Sequence, residues 1–238
     1  MRIFSYDEID ELGEGLIRQY LGADAEQTYC VDIEGFVTEY LKLPLLYRTF
    51  AEQDTDKIGF IADGFTPLRV FEGHKTIERV FPKGTIVIER YLRHEYESGR
   101  RRFTISHESA HYVMDRTVPY ASFHREFDNE RNYAKEDFRN LFSFQETQID
   151  RMGAALLMPK FMVHNVVAMH GCTGCIPVFG DSVLKTSDKL LIKRMANTMG
   201  VSFSAFFIRL HELGYLCYRP LSEYITGEMG LGHGGEPR

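Results

Sequence analysis

The five residues HESAH, at 107–111, constrain this chain more than any other stretch. Two histidines four positions apart face the same way only on a helix, so the segment is expected to be α-helical. Both imidazoles then reach one metal ion, while Glu108, about 100° round the axis from His107, sits beside the ligands rather than among them. That layout implies the chemistry of a zinc hydrolase. The competing reading is a surface helix that happens to carry two histidines. Phe103, Ile105, Ala110, Val113 and Met114 argue against it, because they form an apolar stripe that would bury the helix. Buried imidazoles need a partner, and a metal is one.

Two histidines leave a tetrahedral zinc short of a protein ligand. The extended motif with a third histidine six residues after the second is excluded, since residue 117 is Thr. A downstream helix is the alternative source. It is found in ETQIDRMGAALLMP, where Glu146 and Asp150 are again four apart and a helical run through Ala154, Leu157 and Met158 stops at Pro159. Glu146 can ligate the metal, and Asp150 can accept a hydrogen bond from the far nitrogen of a ligating histidine, fixing its tautomer. Taken without the upstream motif, the same pair reads as an ordinary solvated helix face.

RRFTISHESAHYVMD and ETQIDRMGAALLMP together resemble the ImmA/IrrE family of zinc metallopeptidases. That family's pattern is a F-T-hydrophobic-(A/S)-H-E-x-x-H helix followed by E-x-x-x-(D/N)-x-x-A-x-x-L-(L/M)-P. The resemblance reaches back to about Val31, through IGFIADGFTPLRV and FPKGTIVIERYL. Thr147 and Ile149 stand where an aromatic residue and Ala are commoner, a departure that bears on packing and not on ligation. The resemblance implies a zincin-like peptidase core with Zn2+ on His107, His111 and Glu146, Glu108 as catalytic base and Asp150 behind the ligands. It further implies a protein substrate, a helix-turn-helix transcriptional repressor, cut to switch on stress-response or mobile-element genes. Two rivals stay open: a non-catalytic metal-containing regulatory protein that binds a repressor or DNA, and a zinc amidase or other hydrolase on the same ligands.

A net charge of −6 over 238 residues argues against a general nucleic-acid binder, since phosphate contacts need a basic face. No run approaches the roughly 18 apolar residues of a membrane span. The segment MRIFSYDEIDEL is acidic rather than a basic leader, so a cytoplasmic protein is expected. Four cysteines are too few and too scattered for a secreted disulfide framework.

The pattern along the chain predicts an α+β fold. Ser5 with Glu8 makes a capping box for a helix ending near Gly22, with Ile9, Leu12, Leu16, Ile17, Tyr20 and Leu21 on its apolar face. A second helix is expected from Asp32 to Pro44. Short β-type runs at 45–50, 58–62, 67–71 and 85–91 predict a small, mainly antiparallel sheet packed on helices, one edge of which can take an extended substrate as an added strand. Arg100, Arg101 and Arg102 are placed in a turn or on an outward face, because cations at a helix N-terminus are slightly unfavourable. The connection 118–143 is expected to act as a flap over the cleft or as a surface excursion.

After Pro159 a short helix is expected, followed by HGCTGC. Here Cys172 and Cys175 form a C-x-x-C with His164 and His170 nearby. Lacking a fourth well-spaced ligand and a strand-helix setting, the pair is read as free thiols on a loop rather than as a zinc or redox site. From 185 to 218 the pattern is helical. Ala196, Gly200, Val201 and Ser202 resemble the corner of a helix-turn-helix, whose second helix is better suited to packing or protein contact than to reading DNA. The expected division is a peptidase domain at 1–180, a helix-turn-helix-like unit at 181–225 and a disordered, Gly-rich tail at 226–238.

Overall fold

The computed structural model describes residues 4–54, 56–114, 122–125 and 144–231, with backbone alone for 122–125, 144 and 145. Helix α1 (Tyr6–Leu21) opens on the expected capping box: the Ser5 N–H donates to the Glu8 carboxylate at 2.8 Å and the Glu8 N–H to Ser5 Oγ at 3.2 Å. Gly22, at φ 58°, ends it. Its buried face is Ile9, Asp10, Gly13 and Ile17, whereas Leu12 is 42% exposed, contrary to expectation. The reason is that the packed face centres on Gly13, which turns Leu12 outward and brings Asp10 in. The second helix is shorter than expected. Asp32 caps α2 (Ile33–Gly35), accepting from the Gly35 N–H, and the chain passes at once into a π turn, Phe36–Tyr40.

A four-stranded sheet has the order β1 (Leu45–Arg48), β5 (Ile86–Glu89), β2 (Lys57–Ile61), β6 (Ser122–Arg125). Only β1 and β5 run parallel; the other pairs are antiparallel, as the mainly antiparallel reading requires. A separate hairpin, β3 (Pro67–Glu72) with β4 (Lys75–Val80), closes a small second core of Phe60, Leu68, Val70, Phe81 and Val87. Strand β4 was not foreseen. It is almost wholly solvent-exposed, so it carries none of the apolar alternation by which a half-buried strand is recognised.

Helix α3 (Ser98–Met114) lies between that sheet and α4 (Phe144–Leu157). Every residue from Thr104 to His111 is buried, Ile105 and Ala110 of the expected apolar stripe among them, while Phe103, Val113 and Met114 are half-buried against the core. Its hydroxyls are satisfied locally. Ser109 Oγ donates to the Ile105 carbonyl at 2.7 Å and Ser106 Oγ to the Gly153 carbonyl of α4 at 2.6 Å.

Helix α4 in turn sits between α3 and α1, and its small residues permit this. A Cβ on Gly153 would stand 3.4 Å from the His107 backbone, and one on Gly13 of α1 would stand 2.6 Å from the Ala155 Cβ. The arginine run is placed in part differently from expectation. It forms the opening of α3; Arg100 faces outward as expected and pairs with Glu97 at 3.1 Å, whereas Arg101 and Arg102 are used within the fold. Arg101 pairs with Glu34 at 3.1 Å and donates to the Leu92 carbonyl, while Arg102 donates to the Val31 carbonyl at 2.8 Å. These partners outweigh the weak dipole penalty.

Helix α5 (Lys160–Met169) follows Pro159 directly, then come β7 (Ile176–Phe179), α6 (Thr186–Met199), α7 (Phe203–Glu212), β8 (Leu216–Arg219) and α8 (Leu221–Gly227). The α6–α7 corner is built as read: Gly200 is left-handed at φ 65°, and Ser202 Oγ accepts from the Ala205 N–H at 3.1 Å. The parallel pair of β7 and β8 was not expected, because its short strands follow helices without a change of period. One cysteine reading is corrected. Cys175 is bonded to Cys217 of β8 and is not a free thiol, because the pairing of β7 with β8 brings those positions together; Cys172 and Cys30 are free.

Helix α8 overlaps the start of the expected tail, whose residues 232–238 lie outside the described ones. So does the expected flap at 118–143, apart from the backbone of β6. Among the described residues no single helix is long and apolar enough to cross a membrane.

Candidate active site

The facing sides of α3 and α4 bring His107, His111 and Glu146 together. The two Nε2 atoms are 3.2 Å apart, and Glu146 Oε2 is 3.6 Å from His107 Nε2 and 3.7 Å from His111 Nε2. Among the described residues this is the one group of three or more His, Cys, Asp or Glu whose donor atoms converge closely enough to share an ion. Around a tetrahedral zinc, donors at about 2.0–2.1 Å stand about 3.3–3.4 Å from one another, so the three edges match a zinc-sized ion without a change of backbone.

Asp150, one turn beyond Glu146, completes the arrangement. Its Oδ1 lies 2.8 Å from His107 Nδ1. A carboxylate accepts, so Nδ1 carries the proton and Nε2 presents its lone pair to the centre of the triad. Burial, and then the neighbouring His111, hold the His107 imidazolium well below its ordinary 6.5. The ring is therefore neutral at physiological pH, the form that ligates. Both histidines are 3% exposed and Glu108 is wholly buried, while Glu146 keeps a third of its side chain open. The donor set is thus sunk into the core on one side and approachable on the other.

Four of the five residues singled out in the sequence, His107, His111, Glu146 and Asp150, come together here, and Glu108, next to His107 in the chain, is buried on α3. The architecture that holds α4 was not read from the sequence. Asp10 of α1 bridges two cations, Arg151 of α4 through a bidentate pair and Arg209 of α7 at 2.8 Å; Glu212 meets the same two guanidiniums at 3.1 and 3.0 Å. Arg209 also donates through Nε to the Met158 carbonyl, which the break at Pro159 frees from the helix. Two signals were present: an Asp beside the apolar positions of α1, and an Arg inside the apolar run FFIRL. A charge in such a run is normally paired.

A family model described as the IrrE N-terminal-like domain, of the M78 peptidases, matches residues 39–211. The chain belongs to this family. M78 peptidases are metal-dependent, and the match spans both the HESAH helix and α4, so the converged triad lies within the peptidase region and the chain has a metallopeptidase-type function. A comparison with curated proteins finds no match. Asp10 lies before the matched span and Glu212 just after it, so half of the charge network that fixes α4 in this M78 peptidase comes from outside the family region.

Proposed function

We propose that this M78 peptidase is a zinc-dependent endopeptidase that cuts a helix-turn-helix transcriptional repressor, and thereby regulates stress-response or mobile-element genes. The observation that carries the catalytic part is the convergence of His107, His111 and Glu146 with Asp150 behind His107. Zinc bound there supplies Lewis acidity, polarising the scissile carbonyl and acidifying the attacking water toward neutral pH. Glu108 follows the first ligand in sequence and is enclosed with it, so its carboxylate serves as the base. It takes a proton from the water and returns it to the departing amine, a role worth about 10²–10⁴ in rate. Asp150 holds the His107 Nδ1 proton throughout, keeping the ring from turning.

The substrate class rests on the resemblance to ImmA/IrrE peptidases. The packing of α7 supports a protein partner over DNA: Phe206 and Arg209 are buried, Phe203 and Phe207 stack with each other against the core, and Arg209 is committed to Asp10 and Glu212. A helix spent in this way has few side chains left for base edges.

The test compares new protein N-termini in host extract after treatment with the wild-type protein or with Glu108→Gln. One dominant cut in a repressor, absent with the variant while its zinc content is unchanged, is the expected result. Undiminished cleavage by Glu108→Gln would remove Glu108 from the mechanism. A cut confined to an unrelated protein would remove the repressor.

A further inference from the structure

Helices α1 and α6 present outward faces of opposite charge. On α1 the residues Asp7, Glu8, Glu11 and Leu12 are all exposed, and on α6 so are Lys189, Leu190, Lys193 and Arg194. Positions i, i+1, i+4 and i+5 fall within about 140° round a helix axis, so each set forms a single face. On α1 that face points away from the buried Ile9, Gly13 and Ile17. Among the described residues Asp7, Glu11, Lys189, Lys193 and Arg194 form no ion pair. Glu8 accepts from the Ser5 N–H at 2.8 Å, a hydrogen bond that leaves its charge in place. The charges flanking the two faces are engaged, Glu14 with Arg18 at 2.9 Å and Lys185 with Glu228 at 2.7 Å.

The two faces match position by position. Asp7 and Glu11 are four residues apart, as are Lys189 and Lys193, so both pairs span about 6 Å of helix. The residue following each of these lies to one side of it: Glu8 and Leu12 on α1, Leu190 and Arg194 on α6. When two right-handed helices meet face to face, these following residues fall on the same side of the contact only if the helices run antiparallel. In that arrangement Asp7 meets Lys193, Glu11 meets Lys189, Glu8 meets Arg194 and Leu12 meets Leu190. Every acid finds a base, and two leucines that are 42% and 56% exposed cover one another. A parallel arrangement would put the leucines on opposite sides.

We infer that α1 of one copy of this chain docks antiparallel on α6 of a second copy. The occupant is a second copy because the chain itself carries the complementary pattern, in the reversed order that antiparallel packing requires. The contact joins two different faces, so it either recurs reciprocally in a two-fold dimer or continues from copy to copy. It uses none of the residues of the His-Glu triad and stands independently of the proposed peptidase chemistry. Each chain carries a net charge of −6, so copies repel at long range. At about 0.1 M salt that repulsion is screened beyond roughly 10 Å while charges in contact still attract; at about 1 M the range falls to roughly 3 Å and the contact pairs weaken too.

The test is sedimentation of the full chain over a dilution series reaching about 100 μM, since a contact of this size is weak. Association is expected at about 0.1 M salt and its loss at about 1 M. Glu11→Lys and Lys189→Glu each place like charges opposite one another, and each alone is expected to weaken association about tenfold or more. Mixing the two variants restores it, because the reversed α1 of one then meets the reversed α6 of the other. Circular dichroism confirms that both variants are folded. A wild-type chain that stays monomeric at about 0.1 M salt would overturn the inference, as would folded variants whose mixture fails to associate. Association unchanged in both single variants would assign these faces to other partners and overturn it equally.

Discussion

Asp10→Ala tests how the site helix is held. In the native fold Asp10 is 5% exposed and faces Arg151, itself 8% exposed, and Arg209, which is fully buried. Removing the carboxylate leaves two enclosed guanidiniums with Glu212, whose side chain is 21% exposed, as their remaining carboxylate partner among the described residues. Breaking a buried pair from one side costs about 3–5 kcal/mol, because the surviving charge has been desolvated without compensation. Glu212 still contacts both arginines, which places the expected loss near the lower end, about 3 kcal/mol. For a chain of this size that is a fall in Tm of about 6–12 °C. The assay is urea unfolding of the metal-free protein followed by circular dichroism, with exposed Asp7→Ala as the comparison, for which a change of at most about 0.5 kcal/mol is expected. A loss below about 1 kcal/mol for Asp10→Ala would mean that the network is solvated in solution, and would refute the claim that it braces α4.

Other outcomes follow from the same geometry. Glu146→Ala removes one of the three converging donors, so on the proposed zinc reading metal and activity are both expected to be lost on metal analysis and peptidase assay. Asp150→Asn keeps the shape of the side chain but gives up the charge that orients His107; a drop in zinc affinity of about 10–100-fold in a chelator competition is expected. Gly13→Ala places a Cβ 2.6 Å from Ala155, so a loss of about 1–2 kcal/mol is expected, whereas Gly15→Ala, with open space around it, should gain about 0.5–1 kcal/mol; equal shifts in Tm would count against the close helix crossing. Metal-free protein should weaken as pH falls below the ordinary His value of 6.5. The unfolded His107 binds a proton there and the buried ring does not, so the unfolded state holds more protons and stability rises with pH; Tm measured from pH 5.5 to 7.5 checks the sign.

The candidate metal site was legible because its pattern is periodic. His107 with His111, and Glu146 with Asp150, are i, i+4 pairs, and such a pair names a helix face whatever surrounds it. The end caps were legible for a similar reason: Ser5 with Glu8, and Gly200 with Ser202, act over three residues. The remainder depended on partners distant in sequence. Nothing near Arg102 announces the Val31 carbonyl, 71 residues away, and nothing near Cys175 announces Cys217. Strands β7 and β8 show only when set side by side, since each is four residues long and the period does not change at their borders. Buried polar residues in α3 were hidden by an opposite effect. Thr104, Ser106 and Ser109 look solvent-facing by type, yet each hydroxyl is paid for by a carbonyl within reach.

These observations converge on α4, where three demands meet within about a turn and a half. Glu146 faces the two histidines, Asp150 lies behind His107, and Arg151, the next residue, points the other way into Asp10 and Glu212. Successive helix positions differ by about 100°, so Asp150 and Arg151 cannot serve the same side, and the helix is gripped at one face by the site and at another by the charge network. Gly153 and Ala155 then set its distance from α3 and α1, since a larger residue at Gly153 would press on the His107 backbone itself. Rotation of α4 by a fraction of a turn would separate Glu146 from the histidines and would also break the Arg151 bridges. The network supplied from α1 and α7 therefore stabilises the register in which the metal ligands coincide. This gives the residues on either side of the family span a physical part in the peptidase site without any contact with substrate.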